Sequence, residues 1–452
     1  MKKLAKLYCG FLYALPVVLL FSYYPIISLG ATASMNLELS LPLIWLTFFA
    51  ILSIIIFIKA KLPISPKFLP LLIFPTYATI TIFWSPNPLR AILTAGIIWL
   101  LLIAIISITT IGKKFINRNI FAKFCRTSVI FICAWCWLQS LLDLIGLPRT
   151  ATLMCAGCTT TTFGFPHPNG FAIEPQFMGN LLLAPALYAL YQIIKQPSRR
   201  HYALACFVFA TLFLTFSRGA IYSFSVAALF LIVALGLKTK SARPLCALLP
   251  LVVSFLFTLN AQGLFAALSP TNDTYFTGVA KSLNQLSLGI IDLTPQVPVA
   301  DDFAEKTEVE AENQPNSTFD GYVEESTNVR LELTAAALTA WRQNPSTAIF
   351  GAGLGAAGIT LYREGLTDSP KEIVQNQYAS LLLETGLIGI ATLIIALIII
   401  IKAAAKSSHP LFLFALLLAY ALSLLFFAGL PNALHIYLVP GLFLPKHKAV
   451  IE

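Results

Sequence analysis

The chain has 452 residues, 58% of them hydrophobic and only 11% charged, with a formal charge of +10. A soluble domain carries roughly 25% charged residues, so a water-soluble globule is excluded; apolar runs of about 20 residues recur, long enough to cross a bilayer as helices. The basic excess lies between those runs, which makes it a signal of membrane topology and leaves no case for a nucleic-acid partner.

The N-terminal MKKLAKLYCGFLYALPVVLLFSYYPIISLG begins basic and turns apolar, as a signal peptide does. Its apolar run is long and no A-x-A site follows, so it reads as a retained first span. Spans are expected near 8–30, 39–58, 67–84, 89–111, 121–146, 176–194, 202–217, 219–237, 244–261, 379–401, 408–429 and 431–445. With the N-terminus inside, the cytoplasmic segments hold 21 of the 30 Lys and Arg residues, as the positive-inside rule requires. The expected fold is therefore all-α: a polytopic bundle of about twelve transmembrane helices in the cytoplasmic membrane, with both termini cytoplasmic. Residues 1–261 would hold spans one to nine, 262–378 a large, partly helical extracytoplasmic loop, and 379–452 spans ten to twelve.

Three outward segments carry polar chemistry. The first, SPNPLR, ends at Arg90; the second, residues 147–175, is rich in Gly, Pro, Thr and Cys; the third, residues 262–378, contains 15 of the 20 acidic residues. Within the third, residues 292–326 have the acidic composition of a solvated segment, whereas STNVRLELTAAALTAWRQNP from Ser326 reads as a helix stopped at Asn-Pro. Cys155 and Cys158 form an isolated CAGC, without the setting of a redox motif or a second ligand pair for zinc; a local disulfide or two free thiols is the reading.

Arg218 stands at the joint of two spans in FLTFSRGAIYSF, with no loop to carry it into water. An arginine at membrane depth costs roughly 2.5–3.5 kcal/mol on insertion scales, so it either snorkels to headgroups or serves an anion. A lipid-borne diphosphate is such an anion, because guanidinium is always charged and matches phosphate oxygens in pairs.

Here the residues resemble a family. FSRGAIYSF is similar to the Ser-Arg-Gly signature of the O-antigen ligase and Wzy-type polymerase superfamily; RLELTAAALTAWRQNPSTAIFGAGLGAAG and VQNQYASLLLETGLIGIATLI resemble its second signature. The resemblance implies a membrane glycosyltransferase of the GT-C type, taking a glycan from a polyprenyl-diphosphate donor at the outer face and joining it to an acceptor hydroxyl of a glycan or lipid-glycan, without nucleotide sugar and without a metal or other cofactor. It implies that Arg218 and Arg330, with Arg90 as a helper, hold the diphosphate. Where the ligases usually have His before Asn, this chain has Gln375, Asn376, Gln377 and Tyr378. Glutamine positions a hydroxyl but does not take its proton.

Glu174, in GFAIEPQFMGN, resembles the acidic residue of an EP-aromatic stretch in the polymerases and is the candidate base; it reads equally as a charge favoured by a helix N-terminus. Gln375, Asn376 and Tyr378 would position the acceptor, and His167 would contact a sugar or merely brace its turn. Glu384, deeper in a span, suits pairing with a buried arginine as well as catalysis. GLGAAG from Gly353 fits G-x-G-x-x-G but lacks the strand of a dinucleotide site; its glycines suit a tight re-entry toward the membrane, with backbone contact to a phosphate as a further option. The missing His tilts the reading to polymerase over ligase. The rival reading is a flippase for the same lipid-linked glycan, which explains the long outer loop poorly; a cell-wall glycan polymerase is the related enzyme alternative.

Overall fold

The computed structural model describes residues 2–32, 35–62, 66–112, 115–154, 167–269, 274–287, 290–291, 293 and 320–445, with only the backbone at 2, 67 and 320–327. Cys155, Cys158 and most of the acidic 292–326 stretch lie outside the described residues.

The protein is mostly helical. Among the described residues seven helices are long and apolar enough to cross a membrane: Leu41–Lys59, Pro88–Gly112, Arg118–Leu144, Pro175–Lys195, Arg218–Thr239, Arg243–Leu268 and Gln377–Ala405. Shorter apolar helices cover Phe68–Trp84, Pro410–Ser423 and Leu434–Phe443. Large apolar side chains point outward along these helices, such as Ile58, Leu229 and Leu249. Water penalises such a surface; lipid does not. The chain is a multi-pass helical membrane protein.

Two expectations need correction. The first expected span, 8–30, is a shorter helix α1 (Lys2–Val18) followed by strand β1 (Ile26–Ala31), which pairs antiparallel with β2 (Asn36–Ser40), Ile26 opposite Ser40. Pro25 offers no N–H for a continuing helix, and Ile26 and Ile27 suit a pleated strand. A small hairpin therefore joins an otherwise helical fold, and it meets the chain again where Lys371 Nζ donates to Asn36 Oδ1 at 3.1 Å. The expected span 67–84 is broken into a 3-10 turn (Pro66–Leu72), α3 (Ile73–Ile80) and a second 3-10 turn (Thr81–Trp84). Pro66, Pro70 and Pro75 each remove a helix donor there.

The remaining elements are α2 (Leu41–Lys59), α4 (Pro88–Ser107, running on into a π-turn), α5 (Arg118–Leu144), the short α6 (Arg149–Thr152), α7 (Pro175–Lys195), α8 (Arg199–Leu214), α9 (Arg218–Thr239), α10 (Leu248–Leu268), α11 (Tyr275–Leu286), α12 (Asp320–Gln343), α13 (Pro345–Phe350), α14 (Ala357–Arg363), α15 (Gln377–Ala405), α16 (Pro410–Ser423) and α17 (Leu434–Phe443). α7 is the hub. It packs on α8, α9, α16 and α17, and 61% of its apolar window is buried against 22% for α15. α7 therefore carries protein contacts on most faces, while α15 lies at the rim. The expected helix from Ser326 starts earlier, at Asp320, and stops before Asn344 as its Asn-Pro predicts.

α15 is not continuous. Gly386 has φ 62° and ψ −168°, outside helical values, and the glycine-rich segment after α13 plugs the break. Ala352 N–H donates to Leu383 O (2.8 Å) and Gly353 N–H to Glu384 O (2.9 Å). These bonds occupy carbonyls that the break takes out of the ladder, which is the condition for irregular backbone at membrane depth. On its other side the segment is held by Tyr77 OH to Phe350 O (2.9 Å), Trp84 Nε1 to Gly351 O (3.1 Å) and Ser85 Oγ to Leu354 O (2.9 Å). The re-entry expected of these glycines is thus present, wedged between the broken 66–84 helix and α15. Gly351, at φ 81°, has the Glu384 carbonyl where a Cβ would sit. Gly351→Ala is expected to destabilise by about 2–5 kcal/mol, from backbone strain plus overpacking, seen as a lower melting temperature in detergent.

Candidate active site

The loop end of α7 begins at Glu174, which occupies the N-cap position in extended geometry yet makes no side-chain capping bond. Its carboxylate is thus not spent on the helix. Solvent reaches the side chain from the loop end while protein crowds it elsewhere, and this desolvation raises its pKa above the ordinary carboxylate value; the Arg330 guanidinium opposes the rise.

Arg330 lies on α12 and bridges two elements. Its Nε donates to Gln375 Oε1 at 2.8 Å and its Nη2 to Gln176 Oε1 at 3.2 Å. A guanidinium only donates, so both glutamine oxygens are engaged. The group left to Gln375 is its NH2, a donor, which suits an anionic or hydroxyl oxygen and takes no proton. Gln176 spends its own NH2 on Phe426 O (2.8 Å). Gln176 escapes notice in the sequence, where it is one polar residue in the first turn of an apolar span.

The joint that carries Arg218 packs next to this corner. Ser217 caps α9 by accepting from Ala220 N–H (3.4 Å), which makes Arg218 the first residue of that helix. A Cβ on Gly219 would fall 2.9 Å from the Phe426 side chain, and one on Gly179 2.8 Å from Ser217. The joint is therefore pressed against α7 and against the Phe426 turn that Gln176 holds. Tyr222, one turn along, donates its hydroxyl to Leu286 O at the end of α11, and the Arg218 charge lies within its reach. Arg330, Gln176, Gln375 and Glu174 thus belong to one corner at the loop end, and the helix joint that carries Arg218 packs against the turn Gln176 holds.

The other expected residues have different places. Asn376 Oδ1 caps α15, accepting from Tyr378 N–H and Ala379 N–H at 3.1 Å each. Tyr378 donates its hydroxyl to Ala421 O on α16 at 2.8 Å. Both tie helices together, and their ligand-facing capacity is correspondingly reduced. His167 is 4% exposed and stacks on Phe216 at 4.8 Å. Burial, with the Arg149 charge adding to it, lowers its pKa to about 3. It is a neutral ring packed behind the Ser217-Arg218 joint, a place that suits the turn-bracing reading.

Arg90 belongs to another group. It lies in the first turn of α4, beside Gly355, and its charge acts on Glu384. The Glu384 carboxylate accepts from Ala357 N–H (3.3 Å) and from the Gly355 backbone. The backbone N–H groups of the glycine-rich segment thus serve the protein's own Glu384 carboxyl.

Fold and site together define a multi-pass membrane protein with a guanidinium and carboxamide corner built where long loops gather. Residues 203–394, from α8 into α15, match a family model described as O-antigen ligase. That match supports the resemblance to the O-antigen ligase and Wzy-type superfamily, whose activity is glycosyl transfer with lipid-linked glycans. The match includes Arg218, Arg330, Gln375, Asn376, Tyr378 and Glu384, and leaves out Glu174, Gln176, Arg90 and His167. No curated protein matches the chain.

Proposed function

We propose that the protein is an inverting glycosyltransferase at the extracytoplasmic face of the cytoplasmic membrane, moving a glycan from a polyprenyl diphosphate to an acceptor hydroxyl, and a polymerase in preference to a lipopolysaccharide ligase. The observation that carries this reading is Arg330 held by Gln375 and Gln176 beside Glu174. A permanent cation and a carboxylate of raised pKa lie in one corner, the pairing that acceptor activation and an anionic leaving group require.

In this scheme the acceptor oxygen attacks the anomeric carbon and its proton passes to Glu174. The new carbon–oxygen bond forms as the bond to the diphosphate breaks, and the lipid diphosphate departs with the electron pair. Arg218 and Arg330 meet its charge, and the Gln375 NH2 donates to it or orients the acceptor. The preference for polymerase rests on Gln375 standing where the ligases usually carry His.

The test reconstitutes the full chain in liposomes with a lipid-linked oligosaccharide and follows glycan length and released lipid diphosphate. Elongated glycan with equimolar lipid diphosphate is expected. Arg218→Lys is expected to lose about ten- to hundredfold in rate, the worth of about 1.5–3 kcal/mol in charged hydrogen bonds, because an ammonium cannot form the paired contact. Glycan that crosses the bilayer still attached to its lipid would replace this reading with a flippase.

A further inference from the structure

One turn below Gln176 the bundle holds polar groups that the scheme above leaves unused. Asn180 on α7, Tyr420 on α16 and His435 on α17 are exposed by 1%, 3% and 1%. Both amide atoms of Asn180, the Tyr420 hydroxyl and His435 Nε2 are without hydrogen-bond partners. The Tyr420 and His435 rings meet edge to face with centroids 6.1 Å apart, and the His435 ring hydrogen-bonds the Asn180 backbone carbonyl. A carbonyl only accepts, so the nitrogen that serves it is Nδ1 carrying the hydrogen. Nε2 is then a free lone pair.

Three helices therefore bring together a group that only accepts, a hydroxyl that donates and accepts, and an amide with both. Leaving all of them dry in an apolar bundle is costly. We infer that Asn180, Tyr420 and His435 form a closed water site that binds at least one ordered water, which donates to His435 Nε2 and completes the Asn180 amide and the Tyr420 hydroxyl. Three bonds is the usual complement of a buried water. Asn180 follows Gln176 by four residues and so shares its face of α7; the site is the polar floor of the corner that holds Arg330. Water there ties Tyr420 of α16 to α7 and adds to the direct bond from the His435 ring to the Asn180 backbone.

The test needs no substrate, so its outcome and that of the glycosyl-transfer assay are independent. Thermal unfolding of the detergent-solubilised full chain is compared for Tyr420→Phe, Asn180→Leu, His435→Leu and their pairwise combinations. Each single change is expected to lower the melting temperature by about 2 °C or more, and each pair by less than the sum, because one water links the partners. A dry site gives the opposite result: removing an unpartnered polar atom leaves the melting temperature unchanged or raises it, and pairs add. Tyr420→Phe deletes a single oxygen and keeps the test usable where a larger change fails to fold; an unchanged or raised melting temperature for it alone overturns the proposal.

Discussion

Arg330→Ala is expected to lower turnover by about 10²–10³-fold, the usual loss when one preorganised donor is taken from a developing charge. The side chain is half-buried at the loop end of the fold and not in its core, so the melting temperature should stay close to that of the unaltered chain. Two carboxamide oxygens depend on this guanidinium, Gln375 Oε1 and Gln176 Oε1. Without it the Gln375 amide is free to rotate, while Gln176 keeps its bond to Phe426 O. Arg330→Lys separates charge from geometry: an ammonium restores attraction for a diphosphate but not a flat fork reaching Gln176 on α7 and Gln375 just before α15. Intermediate turnover is the expected result. If the loss appears in kcat and kcat/KM alike, the interaction belongs to the transition state; a raised KM at constant kcat places it in uniform binding. Wild-type turnover in Arg330→Ala would remove Arg330 from the reaction.

Much of the fold was legible because a bilayer imposes a strict rule on composition. Helices near 39–58, 89–111, 121–146, 176–194 and 219–237 are readable from apolar length alone, and their starts at Pro88, Pro175 and Arg218 follow capping and proline chemistry. What hydropathy cannot read is the backbone state within an apolar run: residues 26–31 are as apolar in a strand as in a helix. The break at Gly386 was hidden for another reason. It exists only because residues 351–353, more than thirty positions earlier, fill it. The site divides in the same way. Arg218 and Arg330 stand out as cations in unlikely places, whereas Gln176 and the occupied oxygen of Gln375 are visible only once the Arg330 side chain is seen to reach both. The same limit explains Arg90: its charge was plain in SPNPLR, but its neighbour Glu384 comes from the far end of the chain. His167 gives the clearest lesson, since a loop histidine and a buried one read identically until Phe216 is stacked against it.

A rate that rises with pH is the second large effect. Desolvation raises the Glu174 pKa and Arg330 opposes that rise, so the base form is lost as pH falls through a value above the ordinary carboxylate range. The acid limb of kcat/KM should lie there. Arg330→Gln removes the opposing charge and should move the limb to still higher pH, even as the rate drops, while Arg330→Lys should hold it near its original position. Glu174→Gln should abolish the limb and cost about 10²–10⁴-fold, the range for a lost general base. A helix-terminal role predicts otherwise, because a carboxylate that only complements the α7 dipole contributes stability and not rate. Glu174→Gln would then lower the melting temperature slightly and leave the limb in place. The absent capping bond at Glu174 favours the first outcome: a carboxylate that does not cap its helix retains its lone pairs for a proton.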